Sequence, residues 1–210
     1  MTSNAAQQLW DARNTGAVLG RWFEGYPETE AEAYQIQSDM IALCGQEVTG
    51  WKVGATVEAL FDVLGLSQPF LGPLFQESTV ESGSELKALP GHGLEVEFTI
   101  RLKSALPARN TAYTRAEISE AIEAVYPSLE IVGSRFDRGD KAPGPRIISD
   151  GGANVATVMG PAINNWQELG LEDFAVTLTV NGEDVCDGNT SILVWDHIVD
   201  ALAWALQQPI

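Results

Sequence analysis

The sequence predicts an α+β chain, and three observations carry that prediction. Residues 5–24 and 29–44 read as helices, residues 94–102 alternate apolar and polar without a break, and 20 glycines with 10 prolines supply the turns of a large β component. The first helix is expected over 5–24, with Leu9, Trp10, Ala12, Arg13, Val18 and Trp22 at loosely helical spacing; Gly16 weakens or splits it. Thr29-Glu30-Ala31-Glu32 opens a second helix through about Cys44, with Thr29 as N-cap, acids in its first turn and Gly45 as its stop. Together they make an N-terminal helical hairpin over 1–47, followed by a β-rich domain over 48–210.

In the second part, Gly50-Trp51-Lys52-Val53-Gly54 reads as a short strand bracketed by glycines, residues 71–75 as a turn-rich apolar segment, and 79–88 as a hairpin element. In Leu94-Glu95-Val96-Glu97-Phe98-Thr99-Ile100-Arg101-Leu102 the apolar residues take one packed face. Thr114-Arg115-Ala116-Glu117 is a capping box opening a helix to about Val125, stopped by Pro127. Strands follow at 128–132, 153–159 and 174–180, with a long polar loop at 137–146. Asn181-Gly182 is a strong hairpin signal, with Val185 on the return strand. A last helix spans 196–208, with Asp196 as candidate cap.

A formal charge of −17 argues against nucleic acid as a partner, because phosphates would be repelled. With no basic start and apolar stretch at Met1-Thr2-Ser3-Asn4, and no run long enough for a bilayer, the expectation is a cytoplasmic protein. Cys44 and Cys186 lack metal or redox spacing and read as reduced thiols.

Glu95 and Glu97 fall on one strand face, roughly 6.5–7 Å apart. Same-face carboxylates repel unless water screens them or a cation lies between them, so the pair is either a solvated face or part of an oxygen-ligand metal site. Glu130 is the third carboxylate of that second reading, which suits Mg²⁺ or Mn²⁺. Lys52, in an apolar strand, lies either on a wet face or in a pocket where its charge meets a carboxylate or enolate. Asp150-Gly151-Gly152 reads as a plain turn or as a close backbone approach to a ligand. His92 and His197 read as incidental and structural, and the tryptophans as core or interface.

Taken in order, these segments resemble the 2-keto-4-pentenoate hydratase branch of the fumarylacetoacetate hydrolase superfamily. The resemblance is carried by Leu9-Trp10-Asp11-Ala12-Arg13, Ala33-Tyr34-Gln35-Ile36-Gln37, Gly50-Trp51-Lys52-Val53-Gly54, Gly72-Pro73-Leu74-Phe75, Leu94-Glu95-Val96-Glu97-Phe98, and Leu129-Glu130-Ile131-Val132 with Ser134-Arg135. It implies a mixed β-roll or sandwich with an N-terminal helical part. It also implies a divalent cation, usually Mg²⁺, held by Glu95, Glu97 and Glu130, with Lys52 and Asp150 as catalytic groups and Leu74, Phe75 and Asn154 lining the substrate pocket. The cation would chelate the 2-oxo or 2-enol oxygen and the C1 carboxylate of a small dienol acid, and hydration would give a 4-hydroxy-2-oxo acid. The alternatives are a 4-oxalocrotonate-type decarboxylase, or a non-catalytic partner subunit of such an enzyme.

Some positions depart from the family's pattern. Gln76 stands where an acid often follows the pocket loop, Gly133 where Asp often precedes Ser-Arg, and Gly93 where a basic residue is common. The family's Asp-Asn-Ala-Ser-type stretch reads Asp150-Gly151-Gly152-Ala153-Asn154. Relatives continue beyond Ile210 with strands that close the roll. The expectation is therefore either a covering partner (a homo-oligomer or a related subunit) or an incomplete sequence.

Overall fold

A computed structural model of the chain describes residues 4–20, 25–87, 89–136 and 144–208. In chain order the elements are α1 (Asn4–Thr15), α2 (Glu30–Cys44), β1 (Val48–Gly54), α3 (Ala59–Leu64), β2 (Phe70–Phe75), β3 (Thr79–Glu81), β4 (Gly93–Leu102), α4 (Arg115–Ala121), β5 (Ile122–Val132), α5 (Gly144–Ser149), β6 (Asn154–Met159), β7 (Ala175–Val180), β8 (Glu183–Asn189) and α6 (Ile198–Ala205). β1 and β2 form an antiparallel pair, β7 and β8 another, and a four-stranded sheet has the order β3-β6-β5-β4. Residues 1–95 with 130–158 make one compact unit, and 96–129 with 159–210 a second. This division places the helices of 1–47 in the same unit as β1 and β2, and its boundaries fall inside β4 and β5.

In the first unit, α1 ends at Thr15 and Gly16 turns left-handed at φ 73°, so glycine stops the helix that the spacing carried to residue 24. Trp22 and the remainder of that span, 21–24, lie outside the described residues, as does 137–143 of the expected polar loop. α2 forms as expected. Thr29 and Glu32 make a reciprocal capping box, and Gly45 closes the helix at φ 64°. Ala5, Ala6 and Leu9 of α1 bury against Ile36 and Met40 of α2 and Phe136. Leu9 and Met40 are 0–1% exposed, and burying such a side chain stabilises by about 1.5–3 kcal/mol each. A second cluster, Ala33, Ala55, Leu66, Phe70 and Ile148, joins α2 to β2 and α5. Buried Gln37 completes this contact by donating to the carbonyls of Leu71 and Ile148, at 3.0 and 2.7 Å.

Residues 71–75 are a strand, not a turn: β2 pairs with β1, Lys52 opposite Gly72 and Trp51 opposite Pro73. A proline is tolerated because each strand of a two-stranded ladder keeps one unpaired edge. Among the described residues of 79–88 there is no local hairpin; β3 is three residues long and pairs with distant β6. Helix α3, closed by Gly65 at φ 66°, has no clear periodic signal in the sequence.

In the second unit, Ile118, Ile122, Val125, Trp166, Leu171, Ile198 and Val199 form the core, with Phe98, Ile100 and Leu102 packed against it. Leu94 and Val96, expected on the packed face of the acidic strand, are instead 45% and 37% exposed. Apolar alternation marks which residues share a face, but only packed neighbours bury it. The helix opened by the Thr114–Glu117 capping box ends at Ala121, and the chain passes directly into β5. The expected helix to Val125 fails because Ile122 and Val125 bury in the core as strand residues and Ala124 and Tyr126 form a cluster with Met159. Pro127 therefore lies inside a strand. Its carbonyl accepts from Gly160 N at 2.8 Å, where a Cβ on Gly160 would meet that oxygen at 2.6 Å.

Asn181 and Gly182 have φ of 55° and 87°, the double left-handed turn that the β7–β8 hairpin requires. α6 is capped by His197, whose Nδ1 accepts from Val199 N at 3.1 Å, rather than by Asp196. Asp196 lies one place too early for its side chain to take the cap position.

Glu117 accepts from Arg109 at 2.8 Å through both oxygens and from Thr114, which holds its carboxyl down at about 2. A depressed carboxyl stabilises the fold above its unfolded value, near 4.3, and the contribution is lost as pH falls towards about 2. An NMR titration of the Glu117 carboxyl is expected to show a midpoint well below the other exposed glutamates, and Arg109→Ala to move it back up.

Candidate metal centre

Lys52 is positioned by two backbone approaches. A Cβ on Gly72 of β2 would meet the Gly151 carbonyl oxygen at 2.5 Å, so β2 lies directly against the turn after α5. A Cβ on Gly152 would meet the Lys52 Cδ at 2.9 Å, so the glycine makes room for the lysine stem. Gly151, Gly152 and Ala153 are all left-handed, at φ 67°, 75° and 59°. At Ala153 this costs about 1–2 kcal/mol, and its carbonyl is fixed by Gly133 N at 2.9 Å. The Asp150-Gly-Gly segment is thus a turn whose backbone packs on the lysine.

The Lys52 Nζ donates to Glu130 Oε2 at 2.5 Å and to the Gly152 carbonyl at 3.2 Å, and lies 3.9 Å from Glu95 Oε2. Lys52 is 7% exposed and Glu130 is fully buried. Asn154 Nδ2 donates to the other Glu130 oxygen, Oε1, at 2.8 Å. A buried carboxylate is tolerated only when so satisfied. One oxygen each from Glu95, Glu97 and Glu130 come within 4.8 Å of one another, with Glu95 exposed, Glu97 half-buried and Glu130 buried. Among the described residues this is the one group of three or more His, Cys, Asp or Glu side chains so placed. Crowding shows in the charges: loss of hydration pushes the Glu95 carboxyl up, with Glu130 adding to the rise and Lys52 opposing it. A hard cation fits this donor set, since carboxylate oxygens suit Mg²⁺ or Mn²⁺ and a cation would relieve the repulsion.

Behind the carboxylates lies a buried layer of charge. Arg135 N donates to Asp150 Oδ2 at 2.9 Å, its Nη1 is 3.4 Å from Asp150 Oδ1, and its Nη2 donates to the Asn154 carbonyl at 2.6 Å. Arg13 of α1 donates to the same carbonyl at 2.6 Å and lies over the Phe75 ring, 5.1 Å from its centroid. Burial pushes the Arg13 guanidinium down to about 10, and the neighbouring Arg135 charge adds to this. Burial likewise pushes the Asp150 carboxyl up, against the pull of Arg135 and Arg13.

The structure therefore brings Lys52, Glu95, Glu97 and Glu130 together. Asp150 is held by Arg135 rather than by that group. Of the residues expected to line the substrate pocket, Leu74 is half-buried; Phe75, 1% exposed, packs edge-on against Trp10, and Asn154 has no exposed surface. Gly133 has a packing reason: a Cβ there would meet the His92 ring at 2.5 Å, so an aspartate cannot stand beside this histidine as placed. Sequence reading gave no role to Arg13 or Thr157. The available signal for Arg13 was a charge one turn after Leu9, on the buried stripe of α1.

A carboxylate triad backed by a buried lysine, on strands of an α+β fold, is a candidate oxygen-ligand metal site. The family model described as fumarylacetoacetate (FAA) hydrolase C-terminal matches residues 66–209, and the chain belongs to that family. Among curated proteins it is 30% identical to 2-hydroxyhexa-2,4-dienoate hydratase of Comamonas testosteroni, over 94% of this chain and 76% of that one. It is 28% identical to 2-keto-4-pentenoate hydratase of Paraburkholderia xenovorans, over 88% and 70%. Among solved structures, 4-oxalocrotonate decarboxylase from Pseudomonas putida G7, complexed with magnesium and adipate, shares the fold with a TM-score of 0.85 at 22% identity, covering 96% of this chain and 78% of that one.

Proposed function

We propose that the chain is a Mg²⁺- or Mn²⁺-dependent hydratase, a lyase acting on a small 2-hydroxy-dienoic or 2-oxo acid in aromatic-compound breakdown. The single observation that carries this reading is the convergence of Glu95, Glu97 and Glu130, with Lys52 beside them. It is supported by the names of the relatives at 28–30% identity.

The three glutamates would hold the cation, which supplies Lewis-acid stabilisation of an enolate and neutralises the substrate's oxygens. Lys52 places a positive charge at the same point, which an anionic substrate needs in a chain of net charge −17. Glycine at 152 lets the lysine stem pass without a competing side chain. Leu74 supplies apolar surface to the substrate. Asp150 acts at one remove, fixing Arg135. A cytoplasmic setting and a homo-oligomer or related partner subunit complete the reading.

The test is the ultraviolet absorbance of 2-hydroxypenta-2,4-dienoate. Its loss is expected to require Mg²⁺ or Mn²⁺, to stop with EDTA, and to fall about 10²–10⁴-fold in kcat/KM in Lys52→Ala. Loss unaffected by EDTA or by Lys52→Ala would refute the assignment. Release of CO₂ from a 2-oxo-dienedioic acid would instead assign the decarboxylase branch.

A further inference from the structure

Asn154, like Phe75, is an expected pocket residue that has almost no exposed surface to offer a substrate. It is fully buried, at the first residue of β6, directly after left-handed Ala153. Its backbone carbonyl accepts from half-buried Arg13 and buried Arg135, each at 2.6 Å. With the main chain so fixed, the side chain can reach only inward. Its amide nitrogen donates to Glu130 Oε1 at 2.8 Å and is 3.3 Å from Thr157 Oγ1. The Oδ1 atom has no hydrogen-bond partner among the described residues. Turning the amide over to use that oxygen would set it against the Glu130 carboxylate, so the present orientation is the one an ionised Glu130 selects.

We infer that Asn154 is a positioning residue for the metal centre: it occupies Glu130 Oε1 and thereby leaves Oε2, the oxygen now on Lys52, as the one that faces a cation. The inference rests on the metal-centre reading above and gives Asn154 a different role from the pocket-lining one. Glu130 is then a one-oxygen ligand whose rotation is blocked from behind, and the two arginines keep the amide in place. Partners that orient a ligand in this way are worth about 10–100-fold in metal affinity.

Mn²⁺ titration followed by the electron paramagnetic resonance signal of the free ion tests this without recourse to turnover. Asn154→Ala and Asn154→Ser, whose hydroxyl is too short to span to Glu130, are expected to weaken the Mn²⁺ Kd about 10–100-fold. In both, kcat at saturating Mn²⁺ should return to near the wild-type value, a split that general loosening of the fold would not give. Wild-type Mn²⁺ affinity in either folded variant overturns the inference while leaving the metal centre standing, and so does weakened affinity with kcat unrecovered at saturation. If neither variant folds, Thr157→Val decides. It frees one amide hydrogen at nearly constant volume and must weaken Mn²⁺ several-fold, or the inference fails. Absence of Mn²⁺ binding by the wild-type chain fails the metal centre itself, a distinct result.

Discussion

Replacing Lys52 with methionine is expected to destabilise the protein by about 3–5 kcal/mol, the usual consequence of removing one partner of a buried ion pair. Glu130 is fully buried and takes a 2.5 Å hydrogen bond from Lys52, so the variant would strand a charge with only Asn154 against it. Methionine keeps most of the stem's volume beside Gly152, which isolates the charge from the packing. The double variant Lys52→Met/Glu130→Leu removes both charges and should recover much of the loss, because a buried pair is often replaceable by apolar groups. Denaturant unfolding of the wild type, both single variants and the double variant forms the cycle that measures this. A single variant as stable as the wild type would show that the pair is not buried in solution.

Mg²⁺ at about a hundred times its Kd is expected to stabilise the wild-type chain by about 2.7 kcal/mol. For a chain of this size that is a rise in melting temperature of roughly 5–10 °C. Glu97→Gln and Glu130→Gln should lose most of the rise, since each removes one of three oxygen ligands from a cluster within 4.8 Å. A melting temperature indifferent to Mg²⁺ in the wild type would sink the metal centre, and with it the hydratase reading.

Legibility in the sequence followed the range of the interaction. The caps of α2 and α4 were readable because a capping box is closed within four residues: Thr29 with Glu32, and Thr114 with Glu117. The β7–β8 turn was readable because Asn181-Gly182 meets its own backbone demand. What misled was local pattern where distant packing decides. The helix after Thr114 ends at Ala121 because Ile122 and Val125 are claimed by a core that includes Trp166, Ile198 and Val199. Leu94 and Val96 alternate like buried residues yet stay exposed, because alternation says nothing about what covers a face.

The carboxylates show the same division. The sequence by itself determined that Glu95 and Glu97 share a strand face, that their side chains are oxygen ligands, and that the Lys52 strand and the Glu130 strand resemble those of one family. Only the tertiary structure decided that Glu130 reaches the pair, that Lys52 bonds to its buried oxygen, and that Asn154, Arg13 and Arg135 stand behind it. The physical reason is separation along the chain. Lys52 and Glu130 are 78 residues apart, and Arg13 and Asn154 are 141. No periodicity within a segment encodes a contact over such distances; the packing of β2 on the Gly151–Gly152 turn and of α1 on α2 does.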